Sequence, residues 1–414
     1  MVERTALPAS GADWAALEPR MLEAKAGDAD WRHGRLAVYV HYAGEEVLEV
    51  AKRAYMMFFS ENGLGPAAFP SLARFEREVV EMTLGLLAAP PGAKGTMTSG
   101  GSESIFLAVK SARDRARARQ PGIARPHIVA PSTVHPAFNK AAHYLGLAVN
   151  RIPSMADFRA DAKAMAAAVT GETIMLVGSV PAFPHGVIDP VPALAEIARR
   201  KEIWLHVDAC VGGFIAPFAR RLGRPIPDFD FSVPGVASIS ADLHKYGFSA
   251  KGASTVLYAD EEHFQYQAYA FDGWPRGRYV TQGFPGTRPG GAIAAAWAVM
   301  NHLGEAGYLD LARRIIATRE TIEAGVVRLG LEVWGKPELA ITSYGSRALD
   351  IFAVADGLAA AGWFVGRLAA PSGIHLMLTI AHEPVVEEYL AAVAAAVAAV
   401  RGKASPRAKS GVTY

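Results

Sequence analysis

Two residues thirty-seven positions apart, Asp208 and Lys245, carry the strongest chemical signal in the chain. Asp208 ends the apolar run IWLHVDA, which reads as a strand delivering a carboxylate at its C-terminal end. In open α/β sheets that edge is where ligands bind. A carboxylate there needs a cationic partner or good donors, because burial otherwise neutralises it. A protonated pyridine nitrogen is such a partner, although an aspartate at this place is equally explained as the cap of the next helix. Lys245 lies in SADLHKYG, at the end of another strand, beside His244 and with a glycine close behind. Desolvation there lowers an amine pKa and makes it a nucleophile toward an aldehyde. Most lysines lie on surfaces, so the pairing carries the inference. A lysine for a Schiff base and an acid for a ring nitrogen are together what pyridoxal 5′-phosphate requires. The acid keeps the ring protonated, and the protonated ring accepts the electrons released at a substrate Cα.

Two further segments fit the same cofactor. In TSGGSES, Gly100 and Gly101 let the backbone come close, and the helix that opens there offers free N–H groups to a phosphate. A Gly-Gly-Ser turn alone is a loop with a cap; its place ahead of the Asp and Lys elements makes it a phosphate cradle. In PSTVHPAFNKAA, His135 begins a helix after a strand, on the same ligand edge, where a flat imidazole can stack on a pyridine ring.

These residues need a sheet to bring them together, and the sequence predicts one. From HIVAPS to STVLYAD, short apolar strands alternate with helical segments. That pattern predicts an α/β fold with a doubly wound, mostly parallel sheet. Residues 1–60 read as an N-terminal arm followed by a helix, and 61–290 as the large cofactor-binding domain. After PGTRPGG the pattern becomes a long helix, short strands and a last helix, a smaller C-terminal α+β domain over 291–402. Residues 403–414 form a polar tail, and no internal repeat is present.

Composition narrows the class. The chain has 414 residues, 51% hydrophobic, enough for a large core and two lobes. Forty-two basic and 40 acidic residues leave a net charge of +2 without long like-charge blocks, which points away from nucleic acid and anionic membranes. The single cysteine, Cys210, cannot staple the fold. No apolar run suits a signal peptide, and the Ala-rich stretch from Leu390 to Val400 is far shorter than the roughly 20 residues of a membrane span. A cytoplasmic location is expected.

Taken together, TSGGSESI, HPAFNKAA, FPHGVIDPV, LHVDACVGGF, SISADLHKYGFSAKGAS and PGTRPGG resemble the sphingosine-1-phosphate lyase family, within the wider group of pyridoxal-phosphate-dependent decarboxylases. The resemblance runs from about Tyr39 to the last helix. It implies the transferase-like fold of type I pyridoxal-phosphate enzymes and a homodimer with shared active sites. It implies that Lys245 carries the cofactor, Asp208 pairs with the ring nitrogen and His135 stacks on the ring. Gly100, Gly101 and Ser102 cradle the cofactor phosphate with help from His244, and Thr287 reaches a phosphate in the partner subunit. Lys251 lies on the substrate side. Arg288, next to Thr287, is a further candidate for substrate binding, with dimer packing as its plain alternative. Tyr39 approaches the site from the arm of the other subunit, and Asn62 belongs to the loop that meets the substrate phosphate. No metal is implied.

One departure bears on the substrate. The family's loop reads Asn-Pro-Leu-His-Pro, whereas this chain has NGLGP, with Gly65 at the position of the histidine. The expected activity is carbon–carbon cleavage of a phosphorylated sphingoid base to a long-chain aldehyde and ethanolamine phosphate. The alternative is an amino-acid decarboxylase or a β-hydroxy-amino-acid aldolase, which would use the same cofactor apparatus on another bond. A cofactor-free binding protein would not need Lys245, Asp208 and the glycine turn, all of which are present.

Overall fold

The computed structural model describes residues 4–402; the polar tail predicted over 403–414 lies outside them. Seven strands build the central sheet: β1 Lys94–Thr98, β2 His127–Pro131, β3 Ala148–Ile152, β4 Thr173–Ser179, β5 Trp204–Asp208, β6 Ser238–Ala241 and β7 Ser254–Tyr258. Their order is β1-β7-β6-β5-β4-β2-β3. Only β7 runs against its neighbours; β6, β5, β4, β2 and β3 are parallel. Because β7 opposes both β1 and β6, those two strands point the same way. The loops that leave β1, β5 and β6 therefore emerge at one edge.

The strands that read as unbroken apolar runs are covered on both faces. Every residue of β4, β5, β6 and β7 is buried, as expected of strands enclosed between helical layers. Along β5, Leu205 and Val207 join the larger core, while Trp204 faces the other one, the period-two alternation of a strand. The second core packs beneath the helices Gly101–Arg119 and Ala137–Leu145, through Ile105, Leu107, Phe138 and Ala141.

A hairpin of β8 Tyr269–Phe271 and β9 Tyr279–Thr281 precedes a helix over Gly290–Arg328. That helix is broken at Gly304, whose φ of 53° and ψ of −172° are not helical. The C-terminal lobe is an antiparallel sheet of β10 Glu332–Val333, β11 Ile341–Gly345, β12 Gly366–Ala369 and β13 Ser372–Met377, in the order β10-β11-β13-β12. The helices Ile351–Ala360 and Val386–Arg401 accompany it. Ile341 and Leu376 of this lobe share one hydrophobic core with Leu176 and Leu205 of the large sheet.

A polar clasp also joins the lobes. Arg159 Nη2 donates to Glu338 Oε1 at 2.6 Å, and the Ile188 N–H donates to Glu338 Oε2 at 2.7 Å. Arg159 Nε in turn donates to the Ile188 carbonyl at 2.9 Å. Both charged side chains are half-buried. Replacing Glu338 by Leu leaves a guanidinium and an N–H without their acceptor, and the expected cost is about 2–3 kcal/mol of stability. Urea unfolding measures it, and Glu338→Gln, which keeps one acceptor, should recover part of the loss.

Candidate active site

The carboxyl edge of the sheet collects the predicted residues. β5 ends on Asp208, paired in register with Ser179 at the end of β4 and with Ser240 of β6. The turn after β6 carries Asp242, His244 and Lys245, and the turn after β1 carries Gly100, Gly101 and Ser102. His135 lies between β2 and the helix Ala137–Leu145. All of these residues except Ser240 line one cavity of about 370 Å³.

Lys245 is held from below. Its Nζ lies 2.8 Å from Oδ2 of Asp242, which is 1% exposed. The contact is one of charge, since neither Asp242 oxygen accepts a well-aligned hydrogen bond among the described residues. Burial opposes ionisation of both groups. The pairing outweighs it, so the Lys245 ammonium is raised above the ordinary lysine range and the Asp242 carboxyl is lowered. His244 joins them, with Nε2 at 3.6 Å from Asp242 Oδ2. Burial, opposed by the Asp242 charge, lowers the His244 pKa.

The glycine turn fits over this pair. A Cβ on Gly101 would fall 2.8 Å from both Asp242 Oδ2 and Cys210 Sγ, closer than real Cβ atoms come. A Cβ on Gly100 would meet His244 Cε1 at 3.4 Å. The turn is fixed by Glu103, whose Oε2 accepts from the Ser99 N–H at 2.7 Å and whose Oε1 accepts from the Phe284 N–H at 2.8 Å. The helix start above the cavity therefore has the backbone access and N–H groups that a phosphate needs.

Asp208 is 8% exposed; its Oδ1 accepts from the Cys210 N–H at 3.1 Å and from the Ser240 hydroxyl at 3.4 Å. His135 is half-buried, and its Nδ1 accepts from the Ala137 N–H at 3.1 Å, which places the ring proton on Nε2. Burial lowers its pKa despite the charge of Asp208, which favours the neutral ring. These residues fit pyridoxal 5′-phosphate. Gly100, Gly101 and Ser102 would hold its phosphate, Asp208 its ring nitrogen, His135 its ring face and Lys245 its aldehyde carbon.

Other predicted residues lie elsewhere. Lys251 Nζ donates to the His244 carbonyl at 3.2 Å and borders a neighbouring, mostly apolar cavity of about 410 Å³. Tyr39, expected to serve the other subunit, comes to its own chain's His135: with Phe183 both border a cavity of about 260 Å³. It does so from a left-handed backbone, φ 65°, and is 55% exposed. Asn62 spends its Oδ1 on the N–H groups of Leu64 and Arg288, at 2.9 and 3.1 Å, and its amide on Thr287 Oγ1 at 3.4 Å. Arg288 was expected to meet substrate. Instead its guanidinium clamps both carboxylate oxygens of Glu76 and the Gly63 carbonyl. None of Asn62, Thr287, Arg288, Tyr39 and Lys251 lines the Lys245 cavity.

Sequence reasoning missed Asp242, although an acid three residues before the lysine was a readable signal. It also missed His41, which had none. His41 stands edge-on to Tyr246 with ring centroids 4.8 Å apart, and neither ring nitrogen has a partner among the described residues. Burial, with the charges of Lys251, Lys245 and His244, holds it well below the usual histidine range.

Although Lys251 is partly open to solvent, desolvation around its ammonium and the nearby Lys245 charge bring it down to about 8, against roughly 10.4 for an unperturbed lysine. In the cofactor-free protein Lys251 should therefore react with an amine-directed reagent with a midpoint near pH 8, below the other lysines. Peptide mapping across pH measures this. Lys245→Met removes a neighbouring positive charge, so the midpoint should move up; a Lys251 that titrates with the bulk lysines in both proteins would contradict this electrostatic picture.

The comparisons with known proteins agree with this geometry. Residues 54–333 match the pyridoxal-dependent decarboxylase conserved domain. The sphingosine-1-phosphate lyase of Arabidopsis thaliana is 44% identical over 409 residues, covering 97% of this chain and 75% of the plant protein. The solved structure of a sphingosine-1-phosphate lyase from Burkholderia pseudomallei superposes with a TM-score of 0.92 at 37% identity, covering 97% of this chain and 94% of the other. A glutamate decarboxylase from Lactobacillus brevis, 19% identical with a TM-score of 0.84, shares the fold. The chain is a pyridoxal-phosphate-dependent lyase and belongs to the sphingosine-1-phosphate lyase family of the pyridoxal-dependent decarboxylases.

Proposed function

We propose that the protein cleaves a phosphorylated sphingoid base between its amine-bearing and hydroxyl-bearing carbons, giving a long-chain aldehyde and ethanolamine phosphate. The observation that carries this reading is a pair of lysines joined through His244. Lys245 is charge-paired in the cofactor cavity, and Lys251, lowered to about 8, donates to the His244 carbonyl and borders a mostly apolar cavity. Bound in the first cavity, pyridoxal phosphate supplies an aldehyde that captures the substrate amine and a ring that takes up the electron pair of the broken bond. Asp208 would pair with the protonated ring nitrogen, and His135 would cover one face of the ring. Lys251, with a sizeable neutral fraction near pH 8, takes the proton from the substrate hydroxyl as the carbon–carbon bond breaks. Lys245 Nζ, beside Asp242 in the same cavity, would return a proton to the amine-bearing carbon. The hydroxyl carbon leaves as the aldehyde, so atoms and charge balance.

The same proposal includes a homodimer. Asn62 and Thr287 are bonded to each other away from their own chain's Lys245 cavity, which supports a role in the cavity of a second copy. A cytoplasmic location belongs to it too, and suits a free, buried Cys210 thiol.

Borohydride reduction of the loaded protein, followed by peptide mapping, should place the pyridoxyl group on Lys245, and Lys245→Ala should abolish both label and turnover. A label on another lysine would overturn the assignment. Mixing inactive Lys245→Ala with a Thr287→Val/Asn62→Ala variant should restore activity to about a quarter of wild type if the two sets of residues act across a dimer. Absence of any recovery from exchanged subunits would place both sets in one chain's site.

Gly65 tests the substrate. A Cβ there meets only the Ala68 Cβ, at 3.8 Å, so a side chain fits. One hydrogen bond to a charged group corresponds to roughly a tenfold to hundredfold change in affinity. Gly65→His should accordingly lower KM for a sphingoid base phosphate by about tenfold and leave the unphosphorylated base unchanged. If Gly65→His has no effect and an amino acid is turned over faster than any phosphorylated base, the decarboxylase or aldolase reading replaces this one.

A further inference from the structure

Behind Asp208 runs a chain of buried polar groups. Trp204 and His206 alternate with the core residues of β5, and Ser238 and Ser240 do the same on β6, so all four share one face of the sheet. Trp204 Nε1 donates to Ser238 Oγ at 2.7 Å, and Ser238 Oγ lies 2.8 Å from His206 Nδ1. His206 Nε2 lies 3.2 Å from Ser240 Oγ, which donates to Asp208 Oδ1 at 3.4 Å. His206, Ser238 and Ser240 are each 0% exposed, so their hydrogens need acceptors in the protein, and the side-chain bonds they make run along this chain.

The two ends fix the direction. An indole N–H only donates, so the Ser238 oxygen receives it and the Ser238 hydrogen passes to His206 Nδ1. Nδ1 then carries no proton, and Nε2 carries one, donated to Ser240. Ser240 also receives the Cys210 thiol at 3.3 Å. Its own hydrogen is left for Asp208, an ionised carboxylate that only accepts. The chain therefore runs one way, from Trp204 to Asp208.

We infer that His206 is a positioning residue for the carboxylate that meets the cofactor ring. Locked with its proton on Nε2, it directs the Ser240 hydroxyl onto Asp208 Oδ1 and leaves Oδ2 to the cavity. The inference rests on the pyridoxal-phosphate assignment of that cavity. With the Cys210 N–H at 3.1 Å, Oδ1 has two donors, while Oδ2 takes no hydrogen bond among the described residues. Donors on one oxygen favour the ionised form and prevent the carboxylate from turning. Burial, opposed by Asp208, brings the His206 pKa down to about 4, consistent with a neutral ring. A histidine that merely filled the core would be indifferent to its tautomer.

The test reads the tautomer and cofactor affinity, neither of which requires turnover. In protein labelled with ¹⁵N-histidine, the resonance lost on His206→Gln should show a bare Nδ1 and a protonated Nε2 at neutral pH. A protonated Nδ1, or an imidazolium, overturns the inference. Glutamine places an amide where Nε2 stands, whereas asparagine reproduces only the Nδ1 side. His206→Gln should hold pyridoxal phosphate within about threefold of wild type, and His206→Asn, His206→Leu and Ser240→Ala should weaken it by about tenfold or more. Equal affinity in folded His206→Asn or His206→Leu overturns it. If those two fail to fold, Ser240→Ala and the wild-type tautomer decide. A wild-type protein that binds no pyridoxal phosphate would sink the cofactor assignment, while the tautomer result would still judge the hydrogen-bond chain.

Discussion

A lysine ammonium cannot stay in a protein interior without a counter-charge, and the site of this protein is arranged around meeting that condition. Lys245 is matched by Asp242, 2.8 Å away and 1% exposed. The carboxylate needs room beneath the turn that follows β1, and it takes the room that a side chain at residue 101 would fill. The glycine of TSGGSES and the acid of SADLHK are thus two sides of one steric condition. The strand order completes it. β7 lies antiparallel between β1 and β6, so the two turns leave at the same edge and meet.

Two carboxylates share this cavity with different duties. Asp242 has its cation in the chain itself. Asp208 has hydrogen-bond donors on one oxygen and none on the other among the described residues, which suits a cation that arrives with the cofactor. Their backbone positions explain the difference. Asp208 is the last residue of β5, between Ser179 and Ser240 on the adjacent strands, where neighbouring strands supply short donors. Asp242 is one residue past β6, where the turn brings back a longer side chain from three residues on. A lysine reaches across that turn; a serine hydroxyl would not.

Much of this was legible before any coordinates. Asp208, Lys245 and His135 follow apolar strands, and in an alternating α/β pattern the end of a strand is a position in space as well as in sequence; Gly100 and Gly101 were legible as a glycine turn that opens a helix. The parallel sheet followed from the same alternation. What stayed hidden depends on pairings that periodicity does not encode. Glu76 looks like one of several charges on an amphipathic helix, and nothing local tells that it takes the guanidinium of Arg288, 212 residues away. His41 lies in an arm with no regular spacing. Tyr39 adopts a positive φ, which no side-chain pattern announces. The break at Gly304 is a backbone dihedral in a stretch whose composition is helical throughout.

The surroundings of Lys245 and the Asn62 loop are also held in different ways. Residues around Lys245 interlock: moving Gly101 disturbs Asp242 and Cys210, and moving Asp242 disturbs Lys245 and His244. The Asn62 loop is held differently. It is pinned at Asn62 to the backbone of Arg288 and at Gly63 to the Arg288 carbonyl and guanidinium, and Arg288 is in turn fixed by Glu76. Between those pins and the next helix, which starts at Pro70, residue 65 faces open space apart from one methyl group. A side chain there can change without loosening either anchor. The frame therefore lets residue 65 vary while the groups around Lys245 remain as they are.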